Sequence, residues 1–254
     1  MIEIFIDNWY IILLFFTIAI LYASVGFGGG SSYLAILALT DIAYTEMRAT
    51  SLLCNILVVS GNVLLYHQQK NIDFKKIIPL VILSIPLAYF GGYLKITQNF
   101  FFILLGFILL IASIIMWISK KIVSDKEIST KPNLKKNLLY GGFIGFISGM
   151  VGIGGGIFLA PLLHLTNWDS PKKIAATASI FILVNSLAGL GGQISNPDFS
   201  LNWNLTFILL VSVFIGGQIG NRISSKFFTP NFLKKATAIL IAFVSLRILW
   251  KNLL

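Results

Sequence analysis

Val25-Gly26-Phe27-Gly28-Gly29-Gly30 recurs 126 positions later as Val151-Gly152-Ile153-Gly154-Gly155-Gly156, each time inside a long apolar stretch. Glycine at this density interrupts a helix, because it loses more backbone entropy on ordering than any other residue and contributes no side chain. Two interruptions at matching places in two halves of a chain are the mark of a membrane carrier built from repeats. In such carriers the binding site lies where the helices come apart.

Composition sets the environment. The chain is 57% hydrophobic and 11% charged, with a mean hydropathy of +0.89, whereas a soluble domain carries about 25% charged residues. Apolar stretches at roughly 9–39, 47–66, 77–94, 99–119, 137–165, 173–192, 204–221 and 235–250 meet the length of about 17–25 residues that a spanning helix requires. They are continuously apolar rather than alternating, which favours helices over a barrel. The predicted fold is therefore an all-α polytopic membrane protein. Glu3 and Asp7 stand where a cleavable signal would need positive charge, so the first apolar segment is expected to persist. Cys54 is the only cysteine, which leaves no internal disulfide and no multi-cysteine metal site.

The halves correspond beyond their glycines. Thr40 matches Thr166, Ala49-Thr50 matches Ala176-Thr177, Phe74 matches Trp203, Thr97-Gln98-Asn99-Phe100 matches Thr229-Pro230-Asn231-Phe232, and Trp117 matches Trp250. This divides the chain into a first repeat at 1–119, a lysine-rich linker at 120–136 and a second repeat at 137–254. Each repeat has one glycine-broken segment followed by three plain ones.

The net charge of +10 reflects short basic loops between apolar spans, the pattern of the positive-inside rule rather than of nucleic-acid binding. If each broken segment crosses the membrane once, the basic residues divide nearly evenly between the two sides. If each turns back at its glycines, only Arg48, Lys95, Arg247 and Lys251 of the 19 Lys and Arg fall on one side. That asymmetry favours re-entrant hairpins. Three crossings per repeat are an odd number, so the repeats are expected to be inverted, with both termini outside and the linker in the cytoplasm. The stretch from Gly30 to Thr40 is about 15 Å long as a helix, half a bilayer.

A helix starting at Ser31-Ser32 presents unpaired backbone N–H groups and the positive end of its dipole, and a second starting near Ile157 would meet it from the opposite direction. Two such ends suit a small oxyanion, with Gly28, Gly29, Gly30, Gly154, Gly155 and Gly156 letting the backbone reach it. Glycine clusters also serve close helix packing. A dinucleotide site lacks its surrounding βαβ unit.

The doubled glycine motif, with Pro161 after the second copy and the stretches Ala49-Thr50-Ser51 and Ala175-Ala176-Thr177-Ala178-Ser179, resembles the sulfite exporter TauE/SafE family of membrane transporters. The resemblance spans nearly the whole chain. It implies export of small sulfur-containing or organic anions, such as sulfite or sulfonates, across the inner membrane, with a cargo that varies within the family. Ala35 stands where the second copy has Pro161, a departure that places any asymmetry of the hairpins at their far ends.

Thr50, Ser51, Thr177 and Ser179 follow the hairpins and either donate to an oxyanion or bond their own helix backbone. Asn55, Asn62, Asn185 and Gln193 should face the protein interior. Arg48 has two readings: an anion receptor at the external mouth, or an interfacial arginine paired with Glu46. His67 and His164 lie near the ends of apolar stretches, Asp41 and Glu46 are expected in loops, and no carboxylate ladder for a proton relay is evident. The expected partners are a small anionic substrate, the lipid bilayer and a second copy in a homodimer, with no nucleic acid and no cofactor. The expected function is a secondary anion transporter. A channel with a fixed glycine-lined filter is the alternative, and no nucleophile–base pair or His-rich cluster favours an enzyme.

Overall fold

A computed structural model describes residues 6–118, 134–197, 199–223 and 230–253. Among them are ten helices and no strand: α1 Trp9–Ser24, α2 Gly30–Leu37, α3 Tyr44–Gln68, α4 Phe74–Tyr93, α5 Gln98–Ile118, α6 Leu134–Val151, α7 Gly156–Leu165, α8 Pro171–Ile194, α9 Trp203–Ile223 and α10 Pro230–Leu253. Five of these (α3, α4, α5, α8 and α9) are long and apolar enough to cross a bilayer. The linker expected at 120–136 lies outside the described residues except for its last three, which belong to the first turn of α6. Thr229, Lys226 and the linker lysines up to Lys131 also lie outside them.

Local chemistry sets the helix boundaries. Asp73 caps α4 by accepting from the Lys76 backbone N–H at 3.4 Å, and Pro171, which has no N–H to leave unpaired, opens α8. At the first glycine run the Phe27 N–H bonds back to the Tyr22 carbonyl at 2.9 Å, while Gly26 takes φ +86°. Gly29 and Gly155, at φ +88° and +82°, are the left-handed residues from which α2 and α7 start. Both helices begin one residue earlier than expected, at Gly30 and Gly156, because the left-handed glycine itself forms the cap. Glu46, expected in a loop, sits in the first turn of α3.

After its glycines the chain turns back. Phe15 of α1 stacks on Tyr33 of α2 at 4.6 Å between ring centroids, and the Tyr22 Oη lies 2.8 Å from the Ser32 Oγ. Phe15 is nine residues before the end of α1, about 13 Å along its axis, so a chain that ran straight on would have carried Tyr33 out of its reach. In the second half Gly155 lies against Ile144, as Gly29 lies against Ile18.

The principal packing pairs are α4 with α6, α1 with α9, α5 with α10, α4 with α8, α3 with α8 and α3 with α9. Exchanging the first five helices for the last five turns α4/α6 into α9/α1 and α4/α8 into α9/α3, and leaves α3/α8 and α5/α10 as they are. Glycines bring the backbones together: Gly141, Gly145 and Gly149 of α6 lie on Leu80, Ser84 and Ala88 of α4, the small-residue spacing that packs helices in lipid.

The radial distribution of polarity is that of a membrane protein. Trp250, Phe143, Leu139, Trp203 and Phe243 are exposed, while Ser51, Asn55, Ser84, Asn185 and Ser186 are fully buried. In water this arrangement would be costly; in lipid it keeps polar groups where the protein can satisfy them. The chain is a multi-pass membrane protein.

Candidate functional site

The two glycine turns meet. The Asn55 Nδ2 of α3 donates to the Ile153 carbonyl at 2.8 Å, and a Cβ on Gly30 would come within 2.6 Å of that same oxygen. Gly28 faces Asn55 and Val59, while Gly154 faces Asn55, Ser186 and Ile182. Gly156 lies against Ile182, with the Phe27 ring of the first turn beyond it. The N-termini of α2, an eight-residue helix, and α7, of ten residues, therefore start beside one point, each carrying the partial positive charge of its dipole. The longer α7 contains Pro161, where α2 has Ala35.

Hydroxyls brace this crossing. The Ser51 Oγ donates to the Gly30 carbonyl at 3.0 Å, the Ser179 Oγ lies 2.6 Å from the Gly26 carbonyl and 2.9 Å from that of Ala175, and the Asn62 Nδ2 donates to the Phe27 carbonyl at 3.3 Å. In this conformation Ser51 and Ser179 direct their protons at carbonyl oxygens. Ser31 and Ser32 are buried in the first turn of α2, Thr177 is buried on α8, and Ile157 packs half-buried against the core. Thr50 sits apart from the crossing, 3.0 Å from the Thr206 Oγ1 of α9.

Arg48 is not the interfacial partner of Glu46: its guanidinium is buried and bonds backbone carbonyls. It is 4% exposed, and among the described residues no carboxylate pairs with it. Its Nη2 reaches the carbonyl oxygens of Gly92 at 3.1 Å and of Gly91 and Gly149 at 3.4 Å. These oxygens lie at the C-terminal ends of α4 and α6, the negative ends of their dipoles, which draw the guanidinium inward. Gly152 of the second turn abuts the Arg48 backbone.

Two buried polar atoms at the crossing have no hydrogen-bond partner, the Asn55 Oδ1 and the Ser186 Oγ. Ser186 escaped the sequence reading because its counterpart in the first half is Val59, so the internal repeat conceals it. Among the described residues no cluster of His, Cys, Asp and Glu could hold a metal ion.

Elsewhere an ion pair joins the two halves. The Lys76 Nζ at the start of α4 lies 2.7 Å from the Asp169 Oδ2 in the α7–α8 turn and 5.5 Å from the centre of the Trp168 ring; the Lys173 Nζ is 3.9 Å from the Asp169 Oδ1. Burial pushes the Asp169 carboxyl up. The hydrogen bonds from Lys76 and the Ser170 N–H, with the charges of both lysines, outweigh it and hold the carboxyl below its ordinary value.

Against this geometry, the Sulfite exporter TauE/SafE family model matches residues 11–248. The chain belongs to the TauE/SafE family. A probable membrane transporter protein of Sinorhizobium fredii is 32% identical over 93% of this chain and 96% of its own length. A probable membrane transporter protein of Methanocaldococcus jannaschii is 28% identical over 65% of this chain and 64% of its own length, and one of Bacillus subtilis is 23% identical over 79% and 80%. No solved structure gives a significant match. TauE/SafE membership makes this a membrane transporter.

Proposed function

We propose that the chain is a secondary transporter that exports small anions, such as sulfite or organosulfonates, across the inner membrane by alternating access. The observation that carries this reading is the convergence of two helix N-termini, each started by a left-handed glycine, on the point between Gly30, Ile153 and Asn55. An anion there is stabilised by both dipoles. The unpartnered Ser186 Oγ adds a donor and the Asn55 Oδ1 an acceptor, a pair that hydrogen sulfite, with one O–H beside its anionic oxygens, satisfies, while a sulfonate uses the donor alone.

The architecture follows from the same features. Residues 1–119 and 137–254 form inverted repeats, each a re-entrant hairpin and three spanning helices, joined by a cytoplasmic linker. Support comes from the turned-back α1–α2 pair, the helix pairings that exchange between halves and the one-sided lysines. Rocking one repeat against the other about the crossing would open it to each side in turn. The direction of transport rests on the family.

Flux into proteoliposomes tests this with sulfite, methanesulfonate and sulfate. Saturable uptake that an opposing gradient of the same anion accelerates is expected. Flux that rises linearly with concentration and shows no counterflow would place the protein among channels, and absence of flux for every anion would remove the anion reading.

A further inference from the structure

A cavity of about 260 Å³ lies between the start of α3, the α4–α5 turn and the C-terminal end of α8. Its floor is buried and cationic, with Arg48, Gly92 and Gln193; its rim, at Leu94, Lys95 and Thr97, is exposed. Arg48 is seven residues before Asn55 on α3, about 10 Å along the helix, and its backbone touches Gly152 of the second turn. The cavity thus leads from the surface toward the crossing without being part of it.

Two donors in that floor are unused. Arg48 and Gln193 are each 4% exposed, and the Arg48 Nε and the Gln193 Nε2 have no hydrogen-bond partner. The three carbonyl oxygens beside Arg48 all meet one nitrogen, Nη2. A buried guanidinium facing only dipoles is under-compensated, and a buried N–H without an acceptor is destabilising. An anion answers both, since a guanidinium presents its donors in a fork that matches two oxygens of one oxyanion. Leu94, Ile96 and Phe199 give the wall an apolar part beside the polar Thr45, Lys95, Thr97 and Asn196, a surface that an apolar tail on the anion can contact.

We propose that this cavity is an outer docking site for a small organic anion, in which Arg48 and Gln193 hold the oxyanion head and Leu94, Ile96 and Phe199 receive a short apolar tail. It rests on the anion-transport reading for its place on the route to the crossing. As a binding site it stands on its own geometry.

The test is equilibrium binding of radiolabelled propanesulfonate and methanesulfonate to the purified full chain in detergent, run beside flux assays on the same variants. Gln193→Leu should weaken propanesulfonate at least tenfold, as should Arg48→Gln, and Phe199→Ala should weaken propanesulfonate while leaving methanesulfonate within about twofold. A Thr45→Cys thiol at the cavity wall should react with a sulfonate-bearing thiol reagent and be protected by propanesulfonate; the fully buried Cys54 should not compete. Propanesulfonate affinity unchanged in the folded Gln193→Leu protein, or no protection at Thr45→Cys, overturns the proposal, and Gln193→Leu decides the matter if Arg48→Gln fails to fold. Normal flux without cavity binding would sink the docking site alone, whereas cavity binding without any anion flux would sink the transport reading alone.

Discussion

Replacing Lys76 with Met removes the contact that ties the start of α4 to the α7–α8 turn. The Asp169 side chain is 6% exposed and that of Lys76 21%, so the pair is neither a solvated surface bridge, worth about 0–1 kcal/mol, nor a fully buried one, whose disruption costs about 3–5 kcal/mol. After the substitution Asp169 keeps the Ser170 N–H at 2.7 Å and Lys173 at 3.9 Å, which limits the loss. Adding the ammonium's contact with Trp168, worth about 0.5–1 kcal/mol at a site this exposed, gives a destabilisation of about 2 kcal/mol. A chain of this size should then melt about 4–8 °C lower. The sign of the pH dependence follows from Asp169, whose carboxyl is held below its ordinary value. The bridge stabilises fully above the unfolded carboxylate value of about 3.9 and is lost as pH falls through the lower folded value. Lys76→Met should therefore lower the melting temperature at pH 7 and have less effect once the carboxylate is protonated. Melting curves in detergent for Lys76→Met, Asp169→Asn and the double variant measure the coupling directly. Additive losses in the double variant would refute the assignment of stability to this pair.

The turns carry the remaining predictions. Gly155→Ala should destabilise the protein by about 1–2 kcal/mol from the left-handed backbone alone, more because the new methyl meets Phe181 and Ile144; thermal melting checks it. Asn55→Leu strips the Ile153 carbonyl of its donor and crowds Gly28 and Gly30, so saturable anion flux in proteoliposomes should fall at least tenfold. Ser179→Ala removes a brace on the Gly26 carbonyl and should cost about 1 kcal/mol, read as a modest drop in melting temperature with the protein still folded. Ser186→Ala deletes an unpartnered hydroxyl, so stability should hold within about 0.5 kcal/mol while sulfite affinity in uptake assays declines.

What the amino-acid sequence exposes and what it conceals have a common physical origin. Class and the two helix breaks are legible because they depend on composition and on a local rule: a glycine run breaks a helix wherever it occurs. Asn55 could be assigned to the interior from its cost in lipid, but its partner, the Ile153 carbonyl 98 positions away, belongs to no side chain and leaves no trace in residue identity. Arg48 was harder for the same reason. Its Nη2 ligands are backbone oxygens of Gly91, Gly92 and Gly149, and the only acidic neighbour in sequence, Glu46, pointed to an interfacial pair that the folded protein does not make. The internal repeat worked in both directions. It located the two turns, yet by favouring residues that match it drew attention to Thr50 and Thr177, whereas the unpartnered groups at the crossing, Asn55 and Ser186, stand opposite Ile182 and Val59. If two repeats share one site on their pseudo-symmetry axis, each position on the site wall is duplicated, and a single small ligand can be asymmetric. The residues that distinguish one end of that ligand from the other must then be those where the halves differ.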